Sequence, residues 1–599
     1  MTHAAATFPT DRSALERMLE TASASPFPEL TDPTARSRAV KIARRQGLLE
    51  RLQRELDPKE PIPLLPYNLY RDYSRTGNRR RYERVMHQRR RRLTQAATAC
   101  YLGMDRMGML EDLVWADCET SFWVMPAHEV HGQPIDLFAA ITAAQLALIV
   151  RTFGDAMAEE VRSRAVAEVR RRVLGPYLEP GRTFLWRAHP ADVLSQNNWN
   201  AVCNGAVGAA ALLLGESPAR CAAVLAEALA SLPAFLNGFT ADGGCMEGPS
   251  YWRFGMGWYV YFAALAFNAT GGGVDIMAGA KIADICRYPL SVNLAPGKEL
   301  PFADASMGYQ SPATALLINR FHDIPELLGL CRLTDDGQLA VGSLEALALY
   351  DGRTVRPHHD RSEAVLPDLG VAKLRAGRLA VGVKAGHNAE YHNHNDIGSF
   401  VVFRDGVFYL TDPGKPVYSA RTFNQHRYES VFCNSLGHSV PVIDGAGQCP
   451  GDEFAGTLEV TDAADGTKVA KVDMTGAYGT DRLRSLRRRI ALSGAGDRVT
   501  VTDRFAIEPA AQVTEAFMTT HPAEVVEAGS AVRIAPESAS PAVLRSGSGG
   551  HFSVEELADE SRAESPREVL LRRIRFTPQE VRDAMTLEFL LSLEDGSPM

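Results

Sequence analysis

The spacing of apolar residues divides the chain into two parts. From residue 93 to about residue 350, apolar side chains recur every three or four positions, which is the period of an amphipathic α-helix. The clearest helical stretches, separated by clusters of Gly, Pro, Asn and Asp, are 145–173, 201–214, 218–236 and 257–269. Many antiparallel helix pairs in series, without a strict repeat, predict a bundle, solenoid or toroid.

From about residue 365 the apolar period becomes that of β-strands. Short alternating or β-branched runs lie between Gly, Asp and Asn turns, at 371–374, 379–384, 400–403, 457–460, 498–504 and 586–591. This pattern is typical of an antiparallel β-sandwich. We therefore predict a multidomain α+β chain with a helical leader over 1–60, a helical domain over 61–355 and a β-sandwich domain over 365–599.

Composition and charge exclude several classes of protein. The chain has 599 residues, of which 45% are hydrophobic and 23% charged, so it is an ordinary globular protein with more than one core. Its net charge of -8 disfavours general nucleic-acid binding, and the basic run 79–92, RRRYERVMHQRRRR, is interpreted as a solvated helix face. Because the chain is acidic, an anionic substrate requires a locally basic site.

The cysteines and the N-terminus bear on the compartment. The nine cysteines are scattered from Cys100 to Cys449, without the close pairs of a disulfide framework or a cysteine-based zinc site, so we interpret them as reduced thiols. The N-terminus carries no recognisable secretion signal, and no window approaches the ~18 apolar residues of a membrane span. We expect a cytoplasmic protein that does not bind membranes, and a periplasmic or secreted one only if a signal was removed.

The stretch 391–414, YHNHNDIGSFVVFRDGVFYLTDPG, carries two histidines on what we predict is the start of a strand. His392 and His394 are two residues apart, so their side chains are expected on the same face. A hairpin over 398–411 with a turn at 404–406 is predicted to follow and to return Asp412 close to the histidines.

The register of that hairpin matters for Asp412. With a strict two-residue turn at Asp405 and Gly406, Asp412 would pair with Ser399 and face away from His394. The prediction therefore requires a longer loop or a β-bulge.

The same region predicts a metal site. Two imidazoles and a carboxylate suit a divalent ion of the zinc type, and His438 in NSLGHSVPVIDG supplies the second imidazole. The predicted ligands are His394, Asp412 and His438, with His392 outside the set. Zinc is the first expectation, and manganese or calcium are the alternatives.

Asparagines interrupt the apolar pattern of one predicted helix. Four of them lie in SQNNWNAVCN, at Asn197, Asn198, Asn200 and Asn204, which is more than one helix cap needs. Amide side chains and helix N-terminal N–H groups can bind and polarise a carboxylate. The sequence thus predicts a site for an acidic group here.

A second polar interruption is the Gly-rich stretch DGGCMEGPSYWRFGMGWY. It holds Glu247, Tyr251, Trp252 and Arg253 in what we interpret as a loop. Such a loop with aromatic residues is compatible with ordinary packing. The functional alternative is a sugar-binding cleft, in which Trp252 or Trp258 stacks on a sugar ring and Tyr251 transfers a proton.

With these residues in view, the chain resembles the heparinase II/III-like polysaccharide lyases. The resemblance covers most of the chain and is most specific in the β half, through HNHNDIGSFVVFRDGVFYLTDPG and NSLGHSVPVIDGAGQ. The matching helical segments are EDLVWADCETSFWVMPAH, IDLFAA, NNWNAVCNGAVGAAALLLGE, DGGCMEGPSYWRFGMGWY and PFADAS. The resemblance implies an N-terminal α/α toroid followed by a C-terminal antiparallel β-sandwich.

The resemblance also implies roles for particular residues. The family's metal ligands fall on His394, Asp412 and His438, its tyrosine falls on Tyr251, and the first histidine of its H-x-H motif falls on His392. Many relatives have a histidine beside the asparagine of the first helical motif, where this chain has the residues NWN at 198–200.

The implied reaction is β-elimination next to a uronic acid. Asn198, with Asn197 or Asn200, would neutralise the substrate carboxylate, because the proton on C5 is only weakly acidic beside it. Tyr251 and His392 are the candidates for base and acid, in an order that the sequence leaves open.

Further residues are predicted to assist. Arg253 would help to ionise the tyrosine, whose ordinary pKa is about 10. Arg427 and Tyr428 in NQHRYES are predicted to reach the substrate, and Glu247 and Trp252 to line the cleft, which we expect at the junction of toroid and sandwich.

Three alternatives stay open at this point. A uronyl C5-epimerase uses the same proton abstraction without cleaving a bond. A glycoside hydrolase on the same scaffold needs two carboxylates, for which Glu247 with Asp242 or Asp304 are candidates. A non-catalytic glycan-binding protein would keep only the cleft. In each case we expect an anionic oligo- or polysaccharide as the partner, and a homo-oligomer remains open.

Overall fold

A computed structural model of the protein describes residues 8–187, 193–358, 362–566 and 569–593. Helices dominate as far as residue 349, with one short helix later in the chain. The α-helices are α1 (Arg12–Ala22), α2 (Pro33–Arg45), α3 (Leu48–Glu55), α4 (Tyr67–Tyr70), α5 (Asp72–Thr76), α6 (Arg80–Tyr101), α7 (Met107–Glu119), α8 (Leu137–Phe153), α9 (Glu159–Val169), α10 (Gly175–Tyr177), α11 (Asn198–Leu214), α12 (Pro218–Asn237), α13 (Pro249–Ala269), α14 (Ala280–Val292), α15 (Pro312–Phe321), α16 (Glu326–Gly329), α17 (Leu344–Leu349) and α18 (Ala558–Glu564).

Strands dominate from residue 364 onwards, and two short strands precede that residue. They are β1 (Asn293–Ala295), β2 (Lys298–Glu299), β3 (Ala364–Leu366), β4 (Val371–Ala376), β5 (Leu379–Lys384), β6 (Gly386–Asn388), β7 (Phe400–Arg404), β8 (Val407–Leu410), β9 (Val442–Ile443), β10 (Gly451–Asp462), β11 (Lys468–Asp473), β12 (Leu483–Leu492), β13 (Arg498–Ile507), β14 (Val513–Thr519), β15 (Ala523–Val526), β16 (Ala531–Ile534), β17 (Ala542–Ser546), β18 (Gly550–Leu557), β19 (Leu571–Pro578) and β20 (Ala584–Leu593).

The predicted fold class, an α/α toroid followed by an antiparallel β-sandwich, is confirmed. Each of the six predicted strand segments lies in an observed strand, and the segment 379–384 matches β5 at both ends. One predicted helix was too long. The helix over 145–173 is divided into α8 and α9 by a turn over 154–158, and a single π-helical turn follows α9. The apolar period continues across this break in the backbone.

Helix α11 is buried almost all round, as its small residues predict. It packs against α8 and α12, and its glycines allow α13 to approach closely. A Cβ added at Gly208 would lie 2.3 Å from the ring of Phe262, and one at Gly205 would lie 2.8 Å from the carbonyl oxygen of Trp258. These two glycines therefore let the middle of α11 lie directly against α13.

Helix α12 corrects one expectation from the sequence. Among the described residues it is the one helix long and apolar enough, by length and composition, to cross a membrane. In the structure, 61% of its apolar window is buried, and the helix packs against α1 and α11. Core helices of this kind pass the same test of length and composition.

The basic run on α6 is a second correction. We predicted a solvated helix face, but Arg89 and Arg92 are only 6% and 5% exposed. Arg89 forms an ion pair with Asp117 at 2.9 Å, and Arg92 donates to the backbone carbonyl of Pro61 at 2.7 Å. These guanidinium groups hold neighbouring segments of the helical part together.

Two compact units divide the chain. The helical unit comprises the described residues within 1–239, 251–286 and 309–358. The β unit comprises those within 240–250, 287–308 and 359–599, so it includes two segments that the sequence pattern assigns to the helical domain. These two segments carry Glu247 and Asp304.

Three antiparallel sheets form the larger part of the β unit. The nine-stranded sheet has the order β15-β16-β17-β20-β13-β12-β11-β10-β6, the four-stranded sheet β18-β19-β14-β9, and the five-stranded sheet β3-β4-β5-β7-β8. Apolar side chains from all three meet in one core, which includes Val381, Phe400, Phe517 and Phe589. The loops that leave this core at β6, β8 and β9 carry the predicted metal ligands.

Candidate active site and metal centre

The two histidines of the H-x-H motif lie in a loop before β7, and not on a strand as predicted. His392 has a positive φ of 58°, which is uncommon for a residue with a side chain. The expectation that His392 and His394 share one face of a strand is therefore wrong. The loop brings both rings to Asp304, and it places only His394 in a group with Asp412 and His438.

The hairpin that follows is as predicted. Strands β7 and β8 are joined by Asp405 and Gly406, which have φ values of 51° and 87°. The pairing contains the required irregularity, because the register shifts between Val402 and Phe403. This bulge changes the face to which the residues after β8 point, and Asp412 reaches the histidine loop.

Three buried side chains form a group that can hold a metal ion. One ligand atom from each of His394, Asp412 and His438 lies within 4.8 Å of the others. His394 Nε2 contacts Asp304 Oδ1 at 2.9 Å, and His438 Nδ1 contacts Asp412 Oδ2 at 2.7 Å. The remaining ring nitrogens, His394 Nδ1 and His438 Nε2, are buried without a hydrogen-bond partner among the described residues.

The donor set fits a divalent ion of the zinc type. Two neutral imidazole nitrogens and a carboxylate oxygen are common zinc ligands, and buried nitrogens without a partner are otherwise costly. Burial is the largest cause of the lowered pKa of His394, which favours its neutral form. Burial also lowers the pKa of His438, but the charge of Asp412 outweighs it and raises that pKa.

His392 is held between two carboxylates of the β unit. Its Nδ1 contacts Asp304 Oδ2 at 2.8 Å, and its Nε2 lies 3.4 Å from Glu247 Oε2. The rings of Tyr418 and Phe423 lie beside it, with ring centroids 6.3 and 5.7 Å away. The imidazole is thus fixed in orientation, with one nitrogen bound to an aspartate.

Asp304 is the centre of this group. Besides the two histidines, it accepts hydrogen bonds from the Tyr418 hydroxyl at 2.7 Å and from Arg427 Nη2 at 3.1 Å. Burial alone would raise the pKa of Asp304, but the charge of Arg427 and the histidine hydrogen bonds hold it well below its ordinary value. Asp304 is therefore a carboxylate at neutral pH and balances a buried guanidinium.

Arg427 and Tyr428 contact the histidine loop. Arg427 donates to the carbonyl of Asn393 at 2.9 Å, and the Tyr428 hydroxyl donates to the side chain of Asn393 at 2.9 Å. Asn393 lies between the two histidines in sequence. In this arrangement both residues support the loop, and Arg427 is only 9% exposed.

The asparagines lie at the start of α11 in the helical unit. Asn197 is the cap, and its side chain accepts a hydrogen bond from the Trp199 N–H at 2.9 Å. Asn200 is wholly buried and donates to the carbonyls of Ser195 at 2.6 Å and Ser231 at 2.9 Å. We therefore assign Asn200 to packing, and retain Asn197 and Asn198 as candidates.

Tyr251, Trp252 and Arg253 begin a helix and do not lie in a loop, because α13 starts at Pro249. Trp252 is 1% exposed and donates to the carbonyl of Ile285 at 2.8 Å, so it belongs to the core and not to a sugar platform. Tyr251 and Arg253 are half-buried.

Within the helical unit, Asn198 of α11 lies close to the face of α13 that carries Tyr251. A Cβ added at Gly255 would lie 3.3 Å from the Cβ of Asn198. Tyr251 precedes Gly255 by one turn, and residues four apart share a face of a helix. The absence of a side chain at Gly255 therefore lets α11 pack close to the face that carries Tyr251.

Two residues of this group were not recognised in these roles from the sequence. Asp304 entered only as a candidate carboxylate for a hydrolase, and its signal was its position in the segment PFADAS. Tyr418 has no distinguishing local pattern. Both contacts join residues far apart in the chain, since His392 and Asp304 are separated by 88 positions.

Comparison with known proteins identifies relatives of the β part of the chain by sequence and of nearly the whole chain by fold. The family model described as "Heparinase II/III-like, C-terminal" matches residues 358–589, which include β7, β8 and all three predicted metal ligands. This match places residues 358–589 in the heparinase II/III-like C-terminal family. No curated protein sequence matches the chain.

Solved structures with the same fold cover nearly the whole chain. The heparan sulfate lyase HepC from Pedobacter heparinus is 13% identical, with a TM-score of 0.55 over 98% of this chain and 89% of that chain. A structure of heparinase III is 14% identical, with a TM-score of 0.58 over 95% and 93%. The chondroitin AC lyase from Streptomyces coelicolor A3 is 12% identical, with a TM-score of 0.51 over 98% and 82%. At these identities the likeness shows the fold alone.

Proposed function

We propose that the protein is a polysaccharide lyase that cleaves a glycan containing uronic acid by β-elimination. The observation that carries the proposal is the His392 imidazole, bound through Nδ1 to the ionised Asp304 at 2.8 Å. An aspartate on one ring nitrogen fixes the orientation of the imidazole, which suits the other nitrogen, Nε2, to proton transfer.

The first requirement of β-elimination is to neutralise the uronate carboxylate. Asn197 and Asn198 are the proposed groups, because they lie at the N-terminus of α11, where N–H groups and the helix dipole favour a negative charge. Hydrogen bonds to the carboxylate strengthen as charge moves onto it when the C5 proton leaves.

The second requirement is a base for the C5 proton and an acid for the leaving oxygen O4. His392 is the proposed group from the β unit, and Tyr251 the proposed group from the helical unit. The base forms a bond to the C5 proton as the C4–C5 double bond forms and the bond from C4 to O4 breaks. The acid then supplies the proton that O4 takes.

The metal is proposed to have a supporting role. His394, Asp412 and His438 would hold a divalent ion, with zinc as the first expectation, and the ion would supply a fixed charge that orients their loops. The loop that carries His394 also carries His392. A metal ion that orders this loop would therefore also stabilise the orientation of the His392 ring.

The proposed substrate is an anionic oligo- or polysaccharide. The structures with the same fold include lyases named for heparan sulfate and chondroitin. Phe423, which is 54% exposed beside His392, offers an apolar ring face to a sugar. Arg253 is the proposed basic group of the helical unit.

The hydrolase alternative is disfavoured by the carboxylates. Asp304 is engaged by four side chains, and Asp242 accepts bonds from Thr240 and Gly244 in its own loop and from the backbone N–H of Asp368. A hydrolase needs one carboxyl group as an acid and a second as a base or nucleophile. Neither aspartate is available for these roles.

A spectrophotometric assay with uronate oligosaccharides tests the proposal. A lyase produces a C4–C5 double bond and hence ultraviolet absorbance, whereas an epimerase, a hydrolase or a binding protein does not. Absence of this absorbance across heparan, chondroitin and other uronate glycans would overturn the proposal. Release of reducing ends without it would indicate a hydrolase.

Two variants test the assigned residues on a substrate that is cleaved. Tyr251→Phe removes only a hydroxyl, and we expect turnover to fall by about 100 to 10,000-fold with the fold intact. His392→Ala should show a similar loss while the metal content stays unchanged. Near wild-type turnover in either variant would contradict its role as acid or base.

A further inference from the structure

A buried arginine of the β unit contacts the backbone of the metal-binding segments. Arg488 lies on β12 and is 1% exposed. Its Nε and Nη2 atoms donate to Asp503 at 2.9 and 2.6 Å, and Nη2 also donates to Glu515 at 2.9 Å. The guanidinium charge is therefore balanced inside the sandwich core.

The remaining nitrogen of Arg488 binds the backbone of two segments that carry predicted metal ligands. Its Nη1 donates to the carbonyl oxygens of Gly398 at 2.9 Å and Ser439 at 2.5 Å. Gly398 follows His394 by four residues in the same loop, and Ser439 directly follows His438. A single planar group thus binds the backbones of two separate ligand segments.

Strand β14, which carries Glu515, also contacts the segments of His438 and Asp412. The Met518 N–H donates to the side chain of Ser439 at 3.1 Å. The Met518 carbonyl accepts a bond from the N–H of Thr411, the residue before Asp412, at 2.8 Å. Backbone bonds from one strand therefore fix two of the three segments.

We propose that Arg488 is a positioning residue for the metal centre, which sets the spacing of the His394 and His438 segments through their backbone carbonyls. The inference rests on the metal site assigned under the proposed function. This role goes beyond stabilising the core, because one rigid guanidinium group binds a backbone carbonyl in each of the two ligand segments.

The charge balance supports this role. Burial and the nearby Asp503 raise the pKa of Glu515 well above its ordinary value, which favours its neutral form beside the ion pair of Arg488 and Asp503. A lysine at position 488 keeps the positive charge. It has a single nitrogen and cannot bind two carboxyl groups and two carbonyls in the same geometry.

Metal binding by the Arg488→Lys variant is the test. Zinc affinity is measured by competition with a chromophoric chelator, and the geometry of the centre by the visible absorption of the cobalt-loaded protein. We expect the dissociation constant for zinc to rise about 10 to 100-fold and the cobalt spectrum to change. These readouts are independent of glycan cleavage.

Two controls separate positioning from loss of stability. Arg487→Lys alters the neighbouring residue of β12, whose 71% exposed side chain pairs with Asp473 on the surface, and should leave zinc affinity unchanged. Val501→Ala opens a cavity in the same core, and should lower the unfolding temperature without changing zinc affinity. Equal zinc affinity in Arg488→Lys and wild type would overturn the inference.

A double variant covers the case in which Arg488→Lys does not fold. Arg488→Met with Asp503→Asn removes the guanidinium together with its carboxylate partner, so no buried charge of this pair is left uncompensated. We expect the zinc dissociation constant to rise, and unchanged affinity in the folded double variant would overturn the inference in that case. If the wild type itself binds no divalent metal, the metal part of the proposed function fails together with this inference, whereas lyase activity is tested separately.

Discussion

Asp304 shows how the site depends on charge balance at single residues. It accepts hydrogen bonds from His392, His394, Tyr418 and Arg427, and it is wholly buried. The sequence motif identified the histidines, because their spacing is local. It did not identify the carboxylate that holds them, because that contact is made across 88 positions.

Replacement of this carboxylate should destabilise the β unit strongly. Asp304→Asn leaves the Arg427 guanidinium buried without its counter-charge, and breaking such a pair typically costs about 3 to 5 kcal/mol. Chemical denaturation measures the loss. The double variant Asp304→Asn with Arg427→Met removes the uncompensated charge and should recover part of the stability, and no recovery would contradict this explanation.

The stability difference between wild type and Asp304→Asn should also depend on pH. The pKa of Asp304 is lower in the folded state than its ordinary value of 3.8, so its ionised form favours folding above that pH. The difference in unfolding free energy should be constant from pH 7 to about 4 and shrink as the pH falls towards the folded-state pKa. A difference that grows on acidification would contradict the assigned direction.

Among the elements, the first turn of α11 combines a structural and a proposed binding role. Its apolar, small-residue pattern correctly predicted a buried helix, and the asparagines correctly predicted a cap. Only the packing distinguishes Asn197, which caps the helix, from Asn200, which lies in the core. The sequence could not separate them, because both follow the same helical period.

Two substitutions at Asn197 separate its two roles. Asn197→Ala removes the acceptor of the Trp199 N–H and should cost about 1 kcal/mol in thermal unfolding. Asn197→Asp keeps an acceptor and should preserve stability. If Asn197 also faces a uronate carboxylate, the aspartate should raise KM by charge repulsion, and an unchanged KM would restrict Asn197 to capping.

For the molecule as a whole, the division into two units follows contacts and not sequence order. The segments 240–250 and 287–308 interrupt the helical part of the chain and yet belong to the β unit. Through them, Glu247 and Asp304 reach His392. A boundary drawn where the apolar period changes does not find these excursions.

Removal of the metal should lower the stability of the β unit. All predicted metal ligands lie in the β unit, whereas the six tryptophans lie in the helical unit, at Trp115, Trp123, Trp186, Trp199, Trp252 and Trp258. A ligand at 100 times its dissociation constant stabilises the folded state by about 2.7 kcal/mol. We therefore expect a chelator to lower the unfolding temperature in calorimetry.

Tryptophan fluorescence and a variant of one metal ligand show which unit the chelator affects. Tryptophan fluorescence reports on the helical unit, and comparison with calorimetry assigns each change to its unit. Asp412→Ala should remove the effect of the chelator, because one ligand is lost. A chelator effect of equal size in Asp412→Ala would place the metal elsewhere.

The local pattern of the sequence left a bundle, a solenoid or a toroid open for the helical part, and the resemblance selected the toroid. The pattern was sufficient for the change from helices to strands, for six of the strands, for the hairpin, and for the grouping of His394, Asp412 and His438. These features depend on the periods of helix and strand and on turns, which involve residues close in the chain. Only the folded structure showed the long-range contacts of His392, the packing of Asn200 and Trp252, and the hydrogen bonds of Arg488. They depend on which loops the packed core brings together, and no local period encodes that choice.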